Sequence, residues 1–354
     1  MIKYIHSLVF LVTCSIFTSC HEQKKNTEEP VLIAKGQMPN IAVSASGILH
    51  VVYGDGDSLL YVSSSDKGLT FSVPVLISVV HELAASHMRG PQIAATTNGV
   101  TIIAGNKAGD IFSFTNNGNG KWSSPIKVND ADTVAKEGLM SMNADGQNVF
   151  AVWLDLRDKH NKLFGAGSKD GGITWTKNKL VYASPDSTVC ECCKPSVIVK
   201  ANEIYVMFRN WLHGNRDLYL IQSNDAGISF GNASKVGTGS WKLEGCPMDG
   251  GGLGVQENKV VQTVFRRQQK IYSCEANKEE QYLSDGKGCT LTIANNKPVY
   301  SWINNNDLVC LLPNGMHHIL GKGNAQRMVP VNNENLMVVW ENEGKIYSEI
   351  LRIE

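Results

Sequence analysis

Short apolar runs separated by polar turns recur along the chain and predict β-strands. Seven segments open with one strand, pass through a polar or Gly/Asn turn and continue into a very apolar second strand. These second strands are His50–Tyr53, Thr101–Ala104, Phe150–Trp153, Tyr205–Phe208, Val260–Phe265, Val299–Trp302 and Leu336–Trp340. A third strand follows in several units after a polar loop. The pattern therefore predicts an all-β chain built from seven similar units.

One turn sequence, Ser-x-Asp-x-Gly-x-Thr/Ser followed by an aromatic residue, occurs three times. Its acidic residues are Asp66, Asp170 and Asp225, and a degenerate copy carries Asn117 at the same place, which gives a period of 51 to 55 residues. The aspartate can accept hydrogen bonds from nearby backbone N–H groups, and the glycine can adopt a positive φ. Self-similarity at this period predicts a repeat architecture.

The three turns resemble the Asp box, or bacterial neuraminidase repeat, of sialidase-like β-propellers. The resemblance implies one propeller of four-stranded blades over residues 31–354. Sialidases have six blades, whereas the repeat count here predicts seven, with six as the alternative. We expect Val31–Gly36 to pair with Ile346–Leu351 as the outer strand of the last blade, because ring closure removes free sheet edges.

The N-terminus differs in character from the rest of the chain. Residues 1–19 have a basic start and an apolar middle, and they end in Phe-Thr-Ser before Cys20, which resembles a lipoprotein signal peptide with Cys20 as the lipidated residue. An ordinary secretory signal is the alternative. Residues 20–30 are charged and predict a tether. We therefore expect an exported protein, anchored by lipid in the outer membrane or at the cell surface.

Composition narrows the range of partners. The 354 residues carry no net formal charge and are 42% hydrophobic, which suits one large domain with ample core. Neutrality argues against nucleic acid as the main partner. No apolar run after the N-terminus is long enough for a transmembrane helix. We expect a monomer.

In a propeller, the loops that enter the inner strands and those between the second and third strands meet on one face. Charged side chains collect in these loops, and loops on a rigid ring commonly carry binding chemistry. The candidate ligand-binding residues are Arg89, Asp155, Arg157, Arg209, Arg216, Asp217 and Arg266, with Trp211, His213, Arg267 and Arg327 nearby. The alternative is that individual arginines pair with neighbouring carboxylates.

The segment Cys190–Cys193, with cysteines at 190, 192 and 193, lies in the loop entering the fourth unit, and Cys246 lies in the matching loop of the fifth. In an oxidising exterior, disulfides are the first interpretation, either between Cys192 and Cys193 or between one of the three and Cys246. A thiolate site for copper(I) or zinc is a weaker interpretation, since the spacing matches no zinc pattern. Buried free thiols are the third.

Elsewhere, Cys274 and Cys289 predict a second disulfide, and Cys310 is left single.

The resemblance to sialidases implies three carboxylate-binding arginines, a tyrosine–glutamate nucleophile and an acid/base aspartate. Arg209 matches the second arginine, but Gln37-Met38-Pro39 stands where Arg-Ile-Pro is expected. Glu191 is the nearest glutamate, and no tyrosine follows a candidate third arginine in a matching context. Without the first arginine, a bidentate grip on a carboxylate is lost.

A closer resemblance is to exported sialidase-like proteins with a Cys-x-Cys-Cys segment, an Arg-Asp pair (Arg216-Asp217) and a Trp…Gly-Cys-Pro segment (Trp241–Pro247). This group implies a shared fold and no settled activity. The sequence therefore predicts a propeller without a cofactor that binds an anionic glycan or another envelope ligand at its Arg/Cys rim. A sialidase-type glycoside hydrolase and a thiolate metal-handling protein are the alternatives.

Overall fold

All regular elements of the described structure are β-strands. A computed structural model describes residues 29–118, 120–276 and 278–353. The predicted signal peptide, Cys20 and most of the tether lie outside these ranges. Within them, the search for a helix that is long and apolar enough to cross a bilayer found none.

The strands form seven antiparallel four-stranded sheets, which we number as blades 1 to 7. Blades 1 to 3 comprise β2 (Gln37–Val43), β3 (Leu49–Asp55), β4 (Ser58–Ser64) and β5 (Val75–Val79); β6 (Gln92–Thr96), β7 (Gly99–Gly105), β8 (Ile111–Asn116) and β9 (Ile126–Lys127); and β10 (Met140–Asp145), β11 (Asn148–Asp155), β12 (Lys162–Ser168) and β13 (Lys179–Tyr182).

Blades 4 to 7 follow the same order. They comprise β14 (Ser196–Lys200), β15 (Glu203–Arg209), β16 (Leu218–Ser223) and β17 (Ser234–Lys235); β18 (Gly252–Val255), β19 (Val261–Arg267), β20 (Lys270–Glu275) and β21 (Gln281–Asp285); β22 (Lys287–Ala294), β23 (Lys297–Asn304), β24 (Asp307–Leu311) and β25 (His317–Lys322); and β26 (Asn324–Pro330), β27 (Asn335–Asn342), β28 (Lys345–Arg352) and β1 (Val31–Lys35).

The two ends of the described chain meet in blade 7. Strand β1 pairs antiparallel with β28, with Val31 opposite Ser348 and Ala34 opposite Ile346. This pairing closes the ring and confirms the predicted role of the N-terminal strand. The prediction of seven blades is confirmed, and the six-bladed alternative is wrong.

The core lies between neighbouring blades, and each second strand is buried on both faces. In β11, Phe150 and Val152 pack with residues of blade 4, whereas Ala151 and Trp153 pack with residues of blade 2. Because successive side chains of a strand point to opposite faces, burial on both faces requires a continuous apolar run. This explains why the second strand is the most apolar part of every unit.

The three repeated turns share one hydrogen-bond pattern, and each fixes its own hairpin. In blade 3, Asp170 Oδ1 accepts from the backbone N–H of Thr174 at 2.9 Å and from the hydroxyl of Ser168 at 2.7 Å. Equivalent contacts surround Asp66 and Asp225.

The turn of blade 3 also docks on blade 2. Trp175 Nε1 donates to Ser113 Oγ at 2.9 Å. Gly172 has a φ of 88°, and a Cβ there would lie 2.4 Å from Cγ2 of Thr101, so close packing and backbone angle both require glycine. The repeated turn is therefore a device that joins one blade to the next.

Candidate functional site

The inner strands enclose a cavity of about 670 Å³ at the end of the channel where these strands begin. Each blade contributes one residue that lies at or near the start of its inner strand, at a corresponding place in the sheet register. These seven lining residues are Asn40, Gln92, Ser141, Ser196, Gly252, Thr290 and Arg327. Amides and hydroxyls with one cation thus form a polar ring of a size that suits a small molecule, for which cavities of about 300–1,000 Å³ are typical.

Four lysine and arginine side chains line this cavity, among them Lys194 and Arg327. Lys194 Nζ donates to Gln92 Oε1 at 2.7 Å, and Arg327 Nη1 donates to the carbonyl of Gln326 at 2.8 Å. Among the described residues, neither cation forms an ion pair.

Burial and the charge of Arg327 hold the pKa of Lys194 well below its ordinary value, and burial lowers the pKa of Arg327 to about 10. An anion bound beside these two groups would favour their charged forms.

Gln92 holds the lysine in place. Its Nε2 donates to the carbonyls of Gly90 at 2.8 Å and Pro91 at 2.9 Å, which directs Oε1 toward Lys194. The same oxygen accepts from Asn40 Nδ2 at 2.8 Å. The ammonium group is thus positioned by side chains from two other blades.

The two carboxylates at the cavity are bound to backbone N–H groups. Asp249, which is 1% exposed, accepts from Gly288 N at 2.7 Å and from Gly251 N at 3.2 Å. Glu341 Oε2 accepts from Met38 N at 2.9 Å. Four lysine and arginine side chains line the cavity together with these two carboxylates, so the formal charge of the lining is positive.

Arg209 is buried beneath the rim and is 2% exposed. Its Nε, Nη1 and Nη2 donate to the carbonyl oxygens of Asp249 at 3.0 Å, Arg216 at 2.6 Å and Arg266 at 3.0 Å. Nη1 therefore holds the loop between β15 and β16 of blade 4, whereas Nη2 reaches blade 5 and Nε reaches the loop between the two blades. A ligand role for Arg209 stays a prediction, and these contacts point to a structural one.

Three further predicted arginines also have partners. Arg157 forms two 2.9 Å contacts with the fully buried carboxylate of Asp155 and lies 4.0 Å over the ring of Phe164. Arg89 donates to the carbonyl of Glu137 at 2.6 Å. Arg267 forms a two-point ion pair with Glu280. These are the pairings that the sequence left open as the alternative to ligand binding.

Arg266 is the predicted ligand-binding residue that lines the cavity itself. Its Nη1 donates to the carbonyl of Pro247 at 3.2 Å, and its guanidinium lies 5.5 Å from the ring of Trp241. Asp217 accepts from Trp241 N at 2.8 Å and pairs with Lys235. Arg266 therefore has a position suited to a ligand, and Asp217 has structural partners.

The cysteine cluster lies next to this cavity. A disulfide joins Cys192 to Cys246 across blades 4 and 5, which confirms the prediction that one of the three clustered cysteines pairs with Cys246. Cys190 and Cys193 are buried free thiols. A hydrogen bond with Cys193 and the charges of Arg216 and Arg209 lower the pKa of Cys190, whereas burial raises that of Cys193.

The predicted disulfide between Cys274 and Cys289 is wrong, since both are free thiols. Cys274 packs in the core between blades 4 and 5. Cys289 packs in the core between blades 5 and 6. The sheet of blade 5 therefore separates the two sulfurs. Cys310 is free, as predicted.

No family model matches the chain, and no curated protein matches its sequence. Among solved structures, a lectin from Burkholderia pseudomallei is 10% identical with a TM-score of 0.69, over 90% of this chain and 96% of the lectin. An α-L-arabinanase from Penicillium chrysogenum is 11% identical with a TM-score of 0.52, over 92% and 98%. A Hadza microbial sialidase is 12% identical with a TM-score of 0.53, over 91% of this chain and 66% of the sialidase.

The chain has a sialidase-like β-propeller fold. At these identities the likeness concerns the fold alone. The chain spans slightly less than two thirds of the length of the sialidase that it matches.

The sialidase-type catalytic candidates do not meet in the cavity of this propeller. Glu191 is exposed, accepts from Thr188 Oγ1 at 3.3 Å and is absent from the cavity lining, and Arg209 is occupied as described above. No tyrosine is among the described residues that line the cavity. The arrangement of Glu191 and Arg209 therefore differs from the one that the sialidase resemblance implies.

Sequence analysis missed the polar ring of the propeller and its central lysine. Lys194, Gln92 and Asn40 are not among the residues that the sequence predicted to bind a ligand. A usable signal was present for two of them, because Gln92 and Asn40 lie near the start of an otherwise apolar inner strand at a corresponding repeat position. A polar residue conserved in place across repeats, and not required by a turn, indicates a channel-lining position.

Proposed function

We propose that this protein is an exported, lipid-anchored propeller that binds an anionic carbohydrate of the cell envelope in its central cavity. The observation that carries the proposal is the pair of cations, Lys194 and Arg327, that line one cavity without a carboxylate partner. Unpaired cations away from water destabilise a fold, so a ligand that brings a carboxylate or sulfate group offsets that cost.

Two features favour a carbohydrate as the rest of the ligand. The ring around the cations supplies amides and hydroxyls from Asn40, Gln92, Ser141, Ser196 and Thr290, which are suited to sugar hydroxyl groups. The similar structures named above are a lectin, an arabinanase and a sialidase, and their names all refer to carbohydrates. Together these features point to an acidic sugar.

The anchor is proposed from the N-terminal sequence, in which the predicted signal peptide ends directly before Cys20. Labelling of growing cells with an alkyne fatty acid should mark the full chain and fail to mark a Cys20→Ser variant. Equal labelling of both chains would contradict lipidation at Cys20.

The cavity proposal is tested by calorimetric titration of the full chain in detergent with matched sugars. N-acetylneuraminic, glucuronic and galacturonic acids are compared with N-acetylmannosamine, glucose and galactose. We expect at least one acid to bind, and its neutral counterpart to bind at least about 10-fold more weakly, since a charge-assisted hydrogen bond contributes about 1.5–3 kcal/mol. Lys194→Gln and Arg327→Gln should each lower the affinity for the acidic sugar by about 10- to 100-fold.

Lys200→Gln is the matched control, because Lys200 ends strand β14, which begins two residues after Lys194, and donates to the carbonyl of Gln256 outside the cavity lining. It should bind the acid like the wild type. Binding that is equal for acidic and neutral sugars, or absent for every acid, would contradict the proposal.

A further inference from the structure

Three buried sulfur atoms lie together at the junction of blades 4 and 5. The distances are 3.7 Å between the sulfurs of Cys190 and Cys192, 3.6 Å between Cys190 and Cys193, and 4.0 Å between Cys192 and Cys193. The loop that carries them is fixed by a hydrogen bond from Cys190 N to the carbonyl of Arg209 at 3.0 Å. The three sulfurs therefore form a nearly equilateral triangle on a held backbone.

This triangle has the dimensions of one face of a metal–thiolate site. With a metal–sulfur distance of about 2.3 Å, tetrahedral geometry requires sulfur–sulfur separations of about 3.8 Å, and trigonal geometry requires about 4.0 Å. The three observed separations, 3.6, 3.7 and 4.0 Å, lie close to the tetrahedral value, and the longest equals the trigonal one. The sulfurs could thus close on one cation with shifts of only tenths of an ångström.

The cluster is not explained as hydrophobic core. Its buried members are only Cys190, Cys192 and Cys193, whereas the large interblade cores are built from aliphatic and aromatic side chains. Nor does disulfide formation explain all of it, because Cys192 bonds to Cys246 and leaves two thiols directed at that bond. Two thiols in this position have no assigned use.

The guanidinium group of Arg216 lies beside the three sulfurs. Arg216 Nη1 donates to Cys190 Sγ at 3.1 Å, and its Nε donates to the carbonyl of Leu243 at 3.2 Å, which lies in the loop that carries Cys246. The guanidinium is held 4.1 Å over the ring of Trp211. A fixed hydrogen-bond donor of this kind orients a ligating sulfur and offsets the negative charge of a thiolate–metal complex.

We propose that the chain binds a thiophilic d¹⁰ cation, copper(I) or zinc, through the thiolates of Cys190, Cys192 and Cys193, with Cys246 as the fourth ligand, once the Cys192–Cys246 disulfide is reduced. Soft thiolate ligands select these cations. The site lies next to the sugar cavity but shares none of its proposed cations, so it stands apart from the proposed function.

The disulfide makes this site redox-dependent. A dithiol reductant supplies two electrons and two protons, becomes a cyclic disulfide and leaves Cys192 and Cys246 as thiols. On binding, each ligating thiol loses its proton to solvent as its sulfur bonds the cation. When the disulfide is intact, Cys190 and Cys193 are the two thiols left among the four cysteines of this site, which is too few for a closed site.

The test uses the full chain in detergent under nitrogen, oxidised or reduced by dithiothreitol that is then removed. Zinc is titrated against a chromogenic pyridylazo chelator and copper(I) against bathocuproine disulfonate. The reduced chain should bind about one cation and the oxidised chain less than a tenth as much. The two chelators distinguish zinc from copper(I).

Cys190→Ser and Cys193→Ser should each weaken binding at least 100-fold, and Arg216→Gln by about 10- to 100-fold. Cys274→Ser is the control, because that thiol donates to two backbone carbonyls as a hydroxyl can, in a different core. Cys246→Ser provides an independent test if the variants at the buried residues Cys190 and Cys193 fail to fold. Cys246 is exposed, and its removal frees Cys192, so this variant should bind the cation without prior reduction.

Failure of the reduced chain to bind either cation would overturn the proposal. So would binding that survives Cys193→Ser, or a Cys246→Ser variant that binds only after reduction.

Discussion

Replacing Arg209 with methionine is expected to lower the free energy of unfolding by about 3–5 kcal/mol. Methionine has a similar reach but no donors, so three buried carbonyls, of Asp249, Arg216 and Arg266, would lose their hydrogen-bond partner. These carbonyls belong to blades 4 and 5 and the loop between them. The loss should therefore weaken the contact between two blades as well as the site of substitution.

Urea unfolding followed by tryptophan fluorescence measures this effect as a lower midpoint. Arg352→Met is the control, because Arg352 is exposed on β28, and its substitution should change stability by less than about 0.5 kcal/mol. If Arg209 instead served a ligand, Arg209→Met would leave the midpoint in place and abolish sugar binding alone. That outcome would refute the structural role.

Replacing Lys194 with methionine should have the opposite effect on stability, because we expect it to raise the free energy of unfolding by about 1–3 kcal/mol. The substitution removes a half-buried cation that is repelled by Arg327 and fills the same space with an apolar chain. Gln92 Oε1 keeps its hydrogen bond from Asn40, so no polar atom is orphaned. Binding of the acidic sugar should fall in the same variant.

A gain of stability with a loss of binding is the signature of a residue retained for function. Lys200→Met is the control and should leave binding unchanged, since Lys200 lies outside the cavity lining. A Lys194→Met variant with a lower free energy of unfolding than the wild type would show that this lysine stabilises the fold. That outcome would contradict its retention for ligand binding in the cavity.

The same lysine predicts a pH dependence of binding. Its pKa in the folded chain lies below its value in the unfolded chain, so its contribution to stability is complete above the unfolded pKa and is lost as pH falls through the folded pKa. The affinity for an anion has the opposite pH dependence. It falls as pH rises through the pKa of the folded chain, because Lys194 then loses its positive charge. Calorimetry from neutral to alkaline pH should show weakening affinity for the acidic sugar in the wild type and a flatter profile in Lys194→Arg.

The number of blades and their closure were readable from the sequence because both depend on local patterns. A strand such as β11, with core on both faces, must be apolar at every position, and a turn such as that of Asp170 uses residues within one hairpin. The N-terminal strand could be assigned to the last blade because its pairing with the C-terminal strand removes free sheet edges. The strand and turn signals each lie within about ten residues and repeat.

The identity of the site was decided by the tertiary structure alone. Arg209 and Lys194 are both cations near the start or end of an apolar strand, yet one meets three carbonyls and the other faces an open cavity. Likewise, Cys246 reaches Cys192 across 54 residues, whereas Cys274 and Cys289 are held apart by a sheet. Charge pairing and sulfur pairing depend on partners from other blades, and only the closed ring sets those distances.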